Sequence, residues 1–245
     1  MSKKVNEAIW GYRPLGDFVD IQGGYAFKSN DAAEEGIRWL KISNVSIGDI
    51  IWDNKAYLPY EYADRYNEYL LMEGDYVIAL TRPIIRNQLK IGQIKLEDTP
   101  ALLNQRVGRI RSYKNVDEKF IYYVMSSSYY VQEINNRILG TDPPNVNPKQ
   151  LEAILVDMPP LKEQQKIAEI LSSVDAAIEK TEQVIAKTEE VKKGLIQQLP
   201  HKDIITTLLN ISKKIEIDQV KCNKLKQIKQ GLTQQLLTGQ VRVKV

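Results

Sequence analysis

Lys192-Lys-Gly-Leu-Ile-Gln-Gln-Leu199 and Lys229-Gln-Gly-Leu-Thr-Gln-Gln-Leu236 are one phrase written twice, 37 residues apart. Shifting Ile167–Leu199 by that offset lays it on Ile204–Leu236 without a gap and matches 11 of 33 positions. In the first copy apolar residues recur three and four apart at Ile167, Leu171, Val174, Ile178, Ile185, Val191, Leu195 and Leu199. In the second they fall at Ile204, Leu208, Ile211, Ile215, Cys222, Leu225, Leu232 and Leu236. This is the helical period, and a repeat close to 3.5 predicts a coiled-coil-like seam. The spacing predicts helices over about 161–199 and 203–237, followed by a tail. Pro159-Pro160 supplies proline where a helix can start, Pro200 and His201 break the run, and Asp203 is placed to cap the second helix. Related helices joined by a short break fold back as an antiparallel hairpin. Each, at about 33 residues, would reach about 50 Å, longer than a small domain is wide, so the pair is expected to protrude as an arm.

Working back towards the N-terminus, the texture changes. Residues 12–160 hold 9 of the 10 prolines and most of the glycines and aromatics. Trp39-Leu-Lys-Ile, Tyr76-Val-Ile-Ala-Leu and Val107-Gly-Arg-Ile are short apolar runs bounded by turn residues such as Ile47-Gly-Asp, Glu73-Gly-Asp and Glu97-Asp-Thr-Pro. They read as short strands. Phe120–Arg137 has helical spacing and reads as one or two helices. The expected fold class is α+β: a strand-rich head over 1–160, then the two-helix coiled-coil arm over 161–245. Gln240-Val-Arg-Val-Lys-Val alternates like a strand and is expected to return to a sheet edge.

Composition excludes more than it identifies. No apolar run approaches the roughly 20 residues of a membrane helix. The opening MSKKVNEAIWGYRPLGD has no apolar signal core. The single cysteine, Cys222, cannot form an internal disulfide, so a reducing cytosol is expected. The net charge of +3 is small, but unevenly spread: residues 1–160 carry 19 Lys+Arg and 21 Asp+Glu, residues 161–245 carry 15 and 10. Within the head, 76–111 holds seven basic residues against Glu97 and Asp98. That window suits either a phosphate-facing patch or a solvated basic face. Residues 200–245 carry nine basic residues and three acids, a face for DNA phosphates or an acidic partner.

A family resemblance rests on several segments taken in order. Gly140-Thr-Asp-Pro-Pro-Asn-Val-Asn-Pro-Lys-Gln-Leu-Glu-Ala-Ile and Met158-Pro-Pro-Leu-Lys-Glu-Gln-Gln-Lys-Ile-Ala-Glu-Ile-Leu resemble the end of a target recognition domain in type I restriction-modification specificity subunits. Leu225-Lys-Gln-Ile-Lys-Gln-Gly-Leu-Thr-Gln-Gln-Leu-Leu-Thr-Gly resembles that family's second conserved region. Pro14-Leu-Gly-Asp, Gly23-Gly-Tyr-Ala-Phe-Lys-Ser, Trp39-Leu-Lys-Ile-Ser-Asn and Glu73-Gly-Asp-Tyr-Val-Ile are further landmarks. The resemblance implies a non-catalytic subunit that reads one half of a split double-stranded DNA target. It also implies long helices that set the distance between halves and dock methyltransferase (modification) subunits, with a restriction-translocase subunit as a further partner. A full-length member has two recognition domains, each followed by a conserved helix; here one domain precedes both helices. The expectation is a half-subunit that pairs with a second copy, giving a palindromic interrupted target, or with a different half-subunit. A non-DNA interaction protein, a folded head on a dimerisation stalk, is the alternative.

Other chemistries find little support. Asp142-Pro-Pro-Asn145 is similar to the D/N-P-P-aromatic motif of adenine-N6 methyltransferases, but Asn145 has no π-face to stack on a flipped base, and Gly23-Gly24 lacks the G-x-G spacing of a cofactor loop. The segment is read instead as a turn leading into the arm. His201, the only histidine, rules out a Cys/His zinc site and leaves a Ser-His-Asp triad without a pocket. Glu34-Glu35 and Glu97-Asp98 are adjacent pairs beside turns, expected to be exposed. No metal or other cofactor is expected.

Base reading needs donors that reach base edges and cations that hold phosphates. Thr81, Arg82, Arg86, Asn87, Gln88 and Lys90 lie together in one loop-like stretch. Asn104, Gln105 and Arg106 form a second cluster, Lys28 and Ser29 a third, Lys41 and Asn44 a fourth. In the arm, Leu171, Val174, Ile178, Ile185, Leu195, Leu208, Ile211, Ile215, Cys222, Leu225 and Leu232 are the expected contacts with a second copy or partner. Gly194 and Gly231, each costing roughly 1 kcal/mol of helix stability relative to alanine, join them if a neighbouring helix approaches closely; fraying helix ends would explain them equally. Thr181 and Asp218 interrupt the seam at matching repeat positions, where polar residues fix register.

Overall fold

The computed structural model describes residues 10–138, 140, 142–198 and 203–244, so Pro200 and His201 lie outside the described residues. The chain divides into two units, Met1–Gln165 and Lys166–Val245.

The first unit is the strand-rich head. Strands β1 (Gly11–Pro14), β2 (Val19–Gly23), β3 (Ile37–Leu40) and β4 (Tyr57–Leu58) come first. A one-turn helix α1 (Tyr62–Arg65) leads to β5 (Leu70–Leu71) and β6 (Tyr76–Ala79). Three short strands follow, β7 (Ile84–Ile85), β8 (Gln88–Leu89) and β9 (Ile91–Gln93), then β10 (Ala101–Leu103) and β11 (Val107–Ser112). Helices α2 (Glu118–Ser126), α3 (Ser128–Ile138) and α4 (Pro148–Glu152) precede β12 (Leu155–Met158). The segment read as one or two helices is thus two. The Asp142–Asn145 segment leads into α4 and β12, not directly into the long helix.

Two four-stranded sheets organise the head, in strand orders β2–β11–β6–β9 and β4–β3–β10–β5. The first is antiparallel, with Ile110 of β11 opposite both Ile21 and Tyr76. In the second, β10 runs parallel to β3 and antiparallel to β5. All four residues of β6, Tyr-Val-Ile-Ala, are buried, as a continuous apolar run predicts for a strand covered on both faces. Leu40, Val77, Ala79, Leu103 and Val107 share one core cluster, which joins residues of both sheets. A second cluster gathers Phe27, Ile37, Trp39, Leu58 and Leu102, with Tyr62, Tyr66 and Tyr69 packed against it.

Two local devices, one steric and one polar, fix the frame. Gly24 passes so close to the Leu103–Asn104 backbone that a Cβ would sit 2.3 Å from the Asn104 carbonyl oxygen, so only glycine fits. Arg109, on β11, points inward with its side chain 6% exposed. Its guanidinium donates to Gln22 Oε1 (2.6 Å), to the carbonyls of Glu68 (2.6 Å) and Leu70 (2.8 Å), and to Asp75 Oδ2 (3.3 Å). One buried cation thereby stitches β2, β11 and the segment leading to β6.

The second unit contains most of α5 (Leu161–Gln198) and all of α6 (Asp203–Leu237). α5 starts directly after Pro159-Pro160, as proline at a helix entry requires. Its 38 residues correspond to about 57 Å at about 1.5 Å each. The helices run antiparallel: Glu182 Oε1 lies 2.7 Å from Lys226 Nζ, Asp175 Oδ1 lies 2.6 Å from Lys229 Nζ, and Cys222 Sγ lies 3.8 Å from Glu182 Oε1. Leu171, Ile178, Thr181, Ile215 and Cys222 are buried; Val174, Ile185, Leu195, Leu208, Ile211, Leu225 and Leu232 are half-buried. Thr181 satisfies its hydroxyl locally, donating to the Ala177 carbonyl at 2.8 Å. Asp218 sits 3.5 Å from Lys214. The expected terminal strand does not form: the chain turns after α6, Val241 N–H donates to the Gln235 carbonyl, and residues 240–244 join no sheet.

Candidate nucleic-acid interface

The stretch 81–90 folds as a hairpin. β7 and β8 pair antiparallel, with Ile84 opposite Leu89 and Ile85 opposite Gln88, leaving Arg86-Asn87 as a two-residue turn. Both turn residues have positive φ, 49° and 58°. Two such residues in succession define a type I′ turn, the turn whose twist matches a hairpin. Asn and Gly favour these positions; arginine does not, and a left-handed non-glycine residue costs about 1–2 kcal/mol. Arg82, at the hairpin's entry, is left-handed too, at φ 47°. Strain of this kind concentrates where function holds it in place.

The hairpin is anchored below and open above. Thr81, Pro83 and Leu89 are buried, whereas Arg82, Ile85, Arg86, Asn87 and Gln88 are exposed. Lys90 N–H donates to the Pro83 carbonyl, and Ala79 N–H donates to the Lys90 carbonyl, closing the base. Lys90 itself is half-buried, its ammonium donating to the Ile42 carbonyl, and burial pushes its pKa down.

Beside the hairpin lies an open cleft of about 470 Å³, lined by Thr81, Gln105, Arg106, Pro143, Asn145 and Asn147 among others. The Asp142–Asn145 segment forms one wall because it pairs with the hairpin's root: Arg82 N–H donates to the Pro144 carbonyl, Val146 N–H to the Leu80 carbonyl, and Thr81 Oγ1 to Asn145 Oδ1 at 2.8 Å. Asn147 caps α4 in a capping box with Gln150. The Asn104–Arg106 turn forms another part of the lining, with Gln105 and Arg106 exposed. The structure thus brings two of the expected clusters together. Asn145 and Asn147 were missed as lining residues; the signal was the Asp-Pro-Pro-Asn-Val-Asn segment, read only as a connecting turn.

The remaining expected residues separate by what their polar atoms already do. Asn44 is 1% exposed; its Oδ1 accepts from Lys41 N–H, and its Nδ2 donates to the carbonyls of Ile51 and Asn54. Asn104 is buried, and its Oδ1 accepts from Arg106 N–H. Asn44, Thr81 and Asn104 therefore spend side-chain hydrogen bonds on shaping the loops that carry the exposed residues. Lys41 lies over the Trp39 ring, 3.8 Å from its centroid. Lys28 and Ser29 are exposed at a short 3₁₀ turn, where Lys28 N–H donates to Asp31 Oδ2. Of the seven basic residues in 76–111, Arg109 is internal. Lys95 is paired 2.9 Å from Asp49, a hydrogen bond that raises its pKa. Arg82, Arg86, Arg106 and Arg111 are the exposed arginines of that window.

Exposed arginine and amide side chains on a two-strand ribbon, beside a cleft of mixed polar and apolar lining, offer the donor types that suit a polyanion with readable edges. The model of the type I restriction modification DNA specificity domain matches residues 8–190, and the chain belongs to that family. It is 39% identical over 191 residues to the MjaVIII specificity subunit of Methanocaldococcus jannaschii, covering 78% of this chain and 45% of that protein. It is 31% identical over 192 residues to the EcoAI specificity subunit of Escherichia coli, covering 78% of this chain and 32% of that protein. The chain thus spans less than half the length of either relative. A chain in a solved structure concerned with assembly and conformational transition of the type I R-M system shares the fold, with TM-score 0.51 and 13% identity over 97% of this chain and 48% of that one. Among the described residues, no helix is long and apolar enough to cross a membrane.

Proposed function

We propose that this chain is a DNA sequence-recognition component of a type I restriction-modification system, reading one half of a bipartite target through the head. The observation that carries the proposal is the family match across residues 8–190, which spans the head and most of α5. The geometry supports it: the strained hairpin displays Arg86, Asn87 and Gln88 outward, with Arg82 at its root and Gln105 and Arg106 beside it. Arginine pairs bidentately with guanine, and asparagine or glutamine with adenine. In this reading the chain has no active site of its own. Methyl transfer belongs to modification subunits docked on the arm, and cleavage to a restriction-translocase subunit. A second copy completes the target, so the two halves read the same sequence in opposite directions; the assembly works in the cytoplasm.

The test is reconstitution. The purified chain is mixed with a type I adenine modification subunit, S-adenosylmethionine and a plasmid library, and methylated sites are mapped. The proposal expects methylation at one bipartite sequence only when both proteins are present. Methylation by the modification subunit alone at the same sites, or none by the pair, contradicts it.

A further inference from the structure

Beside its basic window the head is acidic. Residues 31–75 carry ten Asp and Glu against Arg38, Lys41, Lys55 and Arg65. The same stretch is rich in tyrosine: Tyr57, Tyr60, Tyr62, Tyr66 and Tyr69 fall within thirteen residues. Three of these rings gather with Tyr25. Centroid to centroid, Tyr25 lies 4.5 Å from Tyr66 and 5.6 Å from Tyr69, and Tyr62 lies 5.0 Å from Tyr66. Tyr25 and Tyr60 are exposed, and Tyr62, Tyr66 and Tyr69 are half-buried. Carboxylates border the rings. Burial first, and then the neighbouring Asp31 and Glu68, push the Tyr62 and Tyr69 hydroxyls up, so both stay neutral. Glu61 and Asp64, at the start of α1 and within it, are exposed. Ala33 bridges Tyr57, and a Cβ on Gly36 would meet Leu58 and Pro59, so the intervening Glu34 and Glu35, both exposed, run alongside this segment.

The arm carries the complement at the end where α5 finishes and α6 begins. Residues 191–214 hold Lys192, Lys193, Lys202, Lys213 and Lys214 and one acid, Asp203. Val191, Ile196, Ile205 and Leu209 are each more than half exposed there. A Cβ on Gly194 would meet nothing within 4 Å. One chain thus displays an aromatic, anionic surface on its head and an aliphatic, cationic one on its arm.

We infer that the tyrosine face receives the 191–214 end of a second copy's arm. The inference rests on the reading that two copies complete the target, and it assigns one contact between them. Lysine ammonium groups are attracted to tyrosine faces and to the carboxylates around them, and the exposed valine, isoleucines and leucine leave water against the rings. Charge decides the occupant. DNA phosphates would be repelled by the acids. Face against face would set carboxylates together, and arm end against arm end would set lysines together. Reciprocal exchange avoids both. Under a two-fold axis each arm end meets the other copy's face, and the assembly closes at two chains.

The test uses the full chain, with mass and dimer affinity read by sedimentation over a range of concentrations. The face variant is E35K/E61K/D64K and the arm variant is K192E/K193E/K213E; far-UV circular dichroism and tryptophan fluorescence check that each keeps its fold. Each variant alone sets like charges together at both contacts of the pair, and is expected to dimerise at least about tenfold more weakly than wild type. Mixed one to one, the two variants leave one contact as in wild type and reverse both sides of the other, so affinity is expected to return to within about threefold of wild type. Wild-type affinity in both variants overturns the contact and leaves the two-copy reading standing. So does a mixture of weakened variants that fails to recover. A wild-type chain that stays monomeric throughout overturns both. A face variant that keeps its dimer but gains DNA affinity, or loses a modification subunit, gives the face another role and overturns the inference.

Discussion

In the head, exposed arginines stand on backbone held away from its preferred conformations; in the arm, exposed lysines ride on regular helices. Arg82, Arg86 and Asn87 all have positive φ, and their positions are fixed by a buried base at Thr81, Pro83 and Leu89. The arm's lysines take their places from heptad register alone. A hairpin that fixes a few donors against base edges needs a rigid scaffold beneath it. A helical face that meets another helix needs only a repeating stripe. The comparison teaches that the two regions fail differently: the head by losing shape, the arm by losing register.

The head's frame gives the largest expected effect. Arg109→Ala removes the donor shared by Gln22, Glu68, Leu70 and Asp75, and removing one partner of a buried pair costs about 3–5 kcal/mol. All three tryptophans, Trp10, Trp39 and Trp52, lie in the head, so tryptophan fluorescence during urea unfolding isolates it from the arm. An unchanged fluorescence midpoint would break the claim that this cation holds the sheet. In the arm, Ile178→Ala removes a buried seam side chain at a cost of about 2–5 kcal/mol. The far-UV signal should fall at lower urea while the fluorescence midpoint stays. Coincident loss of both signals would mean the two units unfold as one.

Smaller effects sharpen the distinction between shaping and reading. Asn44→Ala removes three hydrogen bonds from a buried site and should destabilise the head by about 1–3 kcal/mol, yet leave the methylated sequence of the assembled enzyme unchanged. A changed sequence would move Asn44 into the reading surface. Gly194→Ala should stabilise the isolated chain by up to about 1 kcal/mol, because the site is helical and open. A lower melting temperature would show that something in the chain packs there.

The arm was legible in the sequence because one period governs it. Leu171, Ile178, Ile215 and Cys222 repeat at helical spacing, and the structure buries all four. The strands at Trp39, Tyr76 and Val107 were legible as short, mostly apolar runs bounded by turn residues, although only Tyr76–Leu80 is free of charged residues. What the sequence concealed was pairing across distance. Arg109 and Arg86 look alike in a basic window; only strand register sends the first inward to Gln22 and the second to a turn. Asn44 and Asn104 read as donors until their loops close on them. Asn145 reached the cleft through pairing with Thr81, 64 residues earlier. The terminal Gln240–Val245 alternation misled because a strand pattern forms a strand only where an edge is there to receive it.

The central claim is that the 84–89 hairpin reads bases. Its most direct test is to assemble the complex with Arg82→Ala/Arg86→Ala, map methylation across a randomised target, and measure DNA affinity at several salt concentrations. The account predicts relaxed choice at particular half-site positions, a roughly tenfold to hundredfold loss at the preferred site, as expected for about 1–3 kcal/mol per bidentate contact, and a shallower salt dependence. Unaltered base preference with an unaltered salt slope would contradict it.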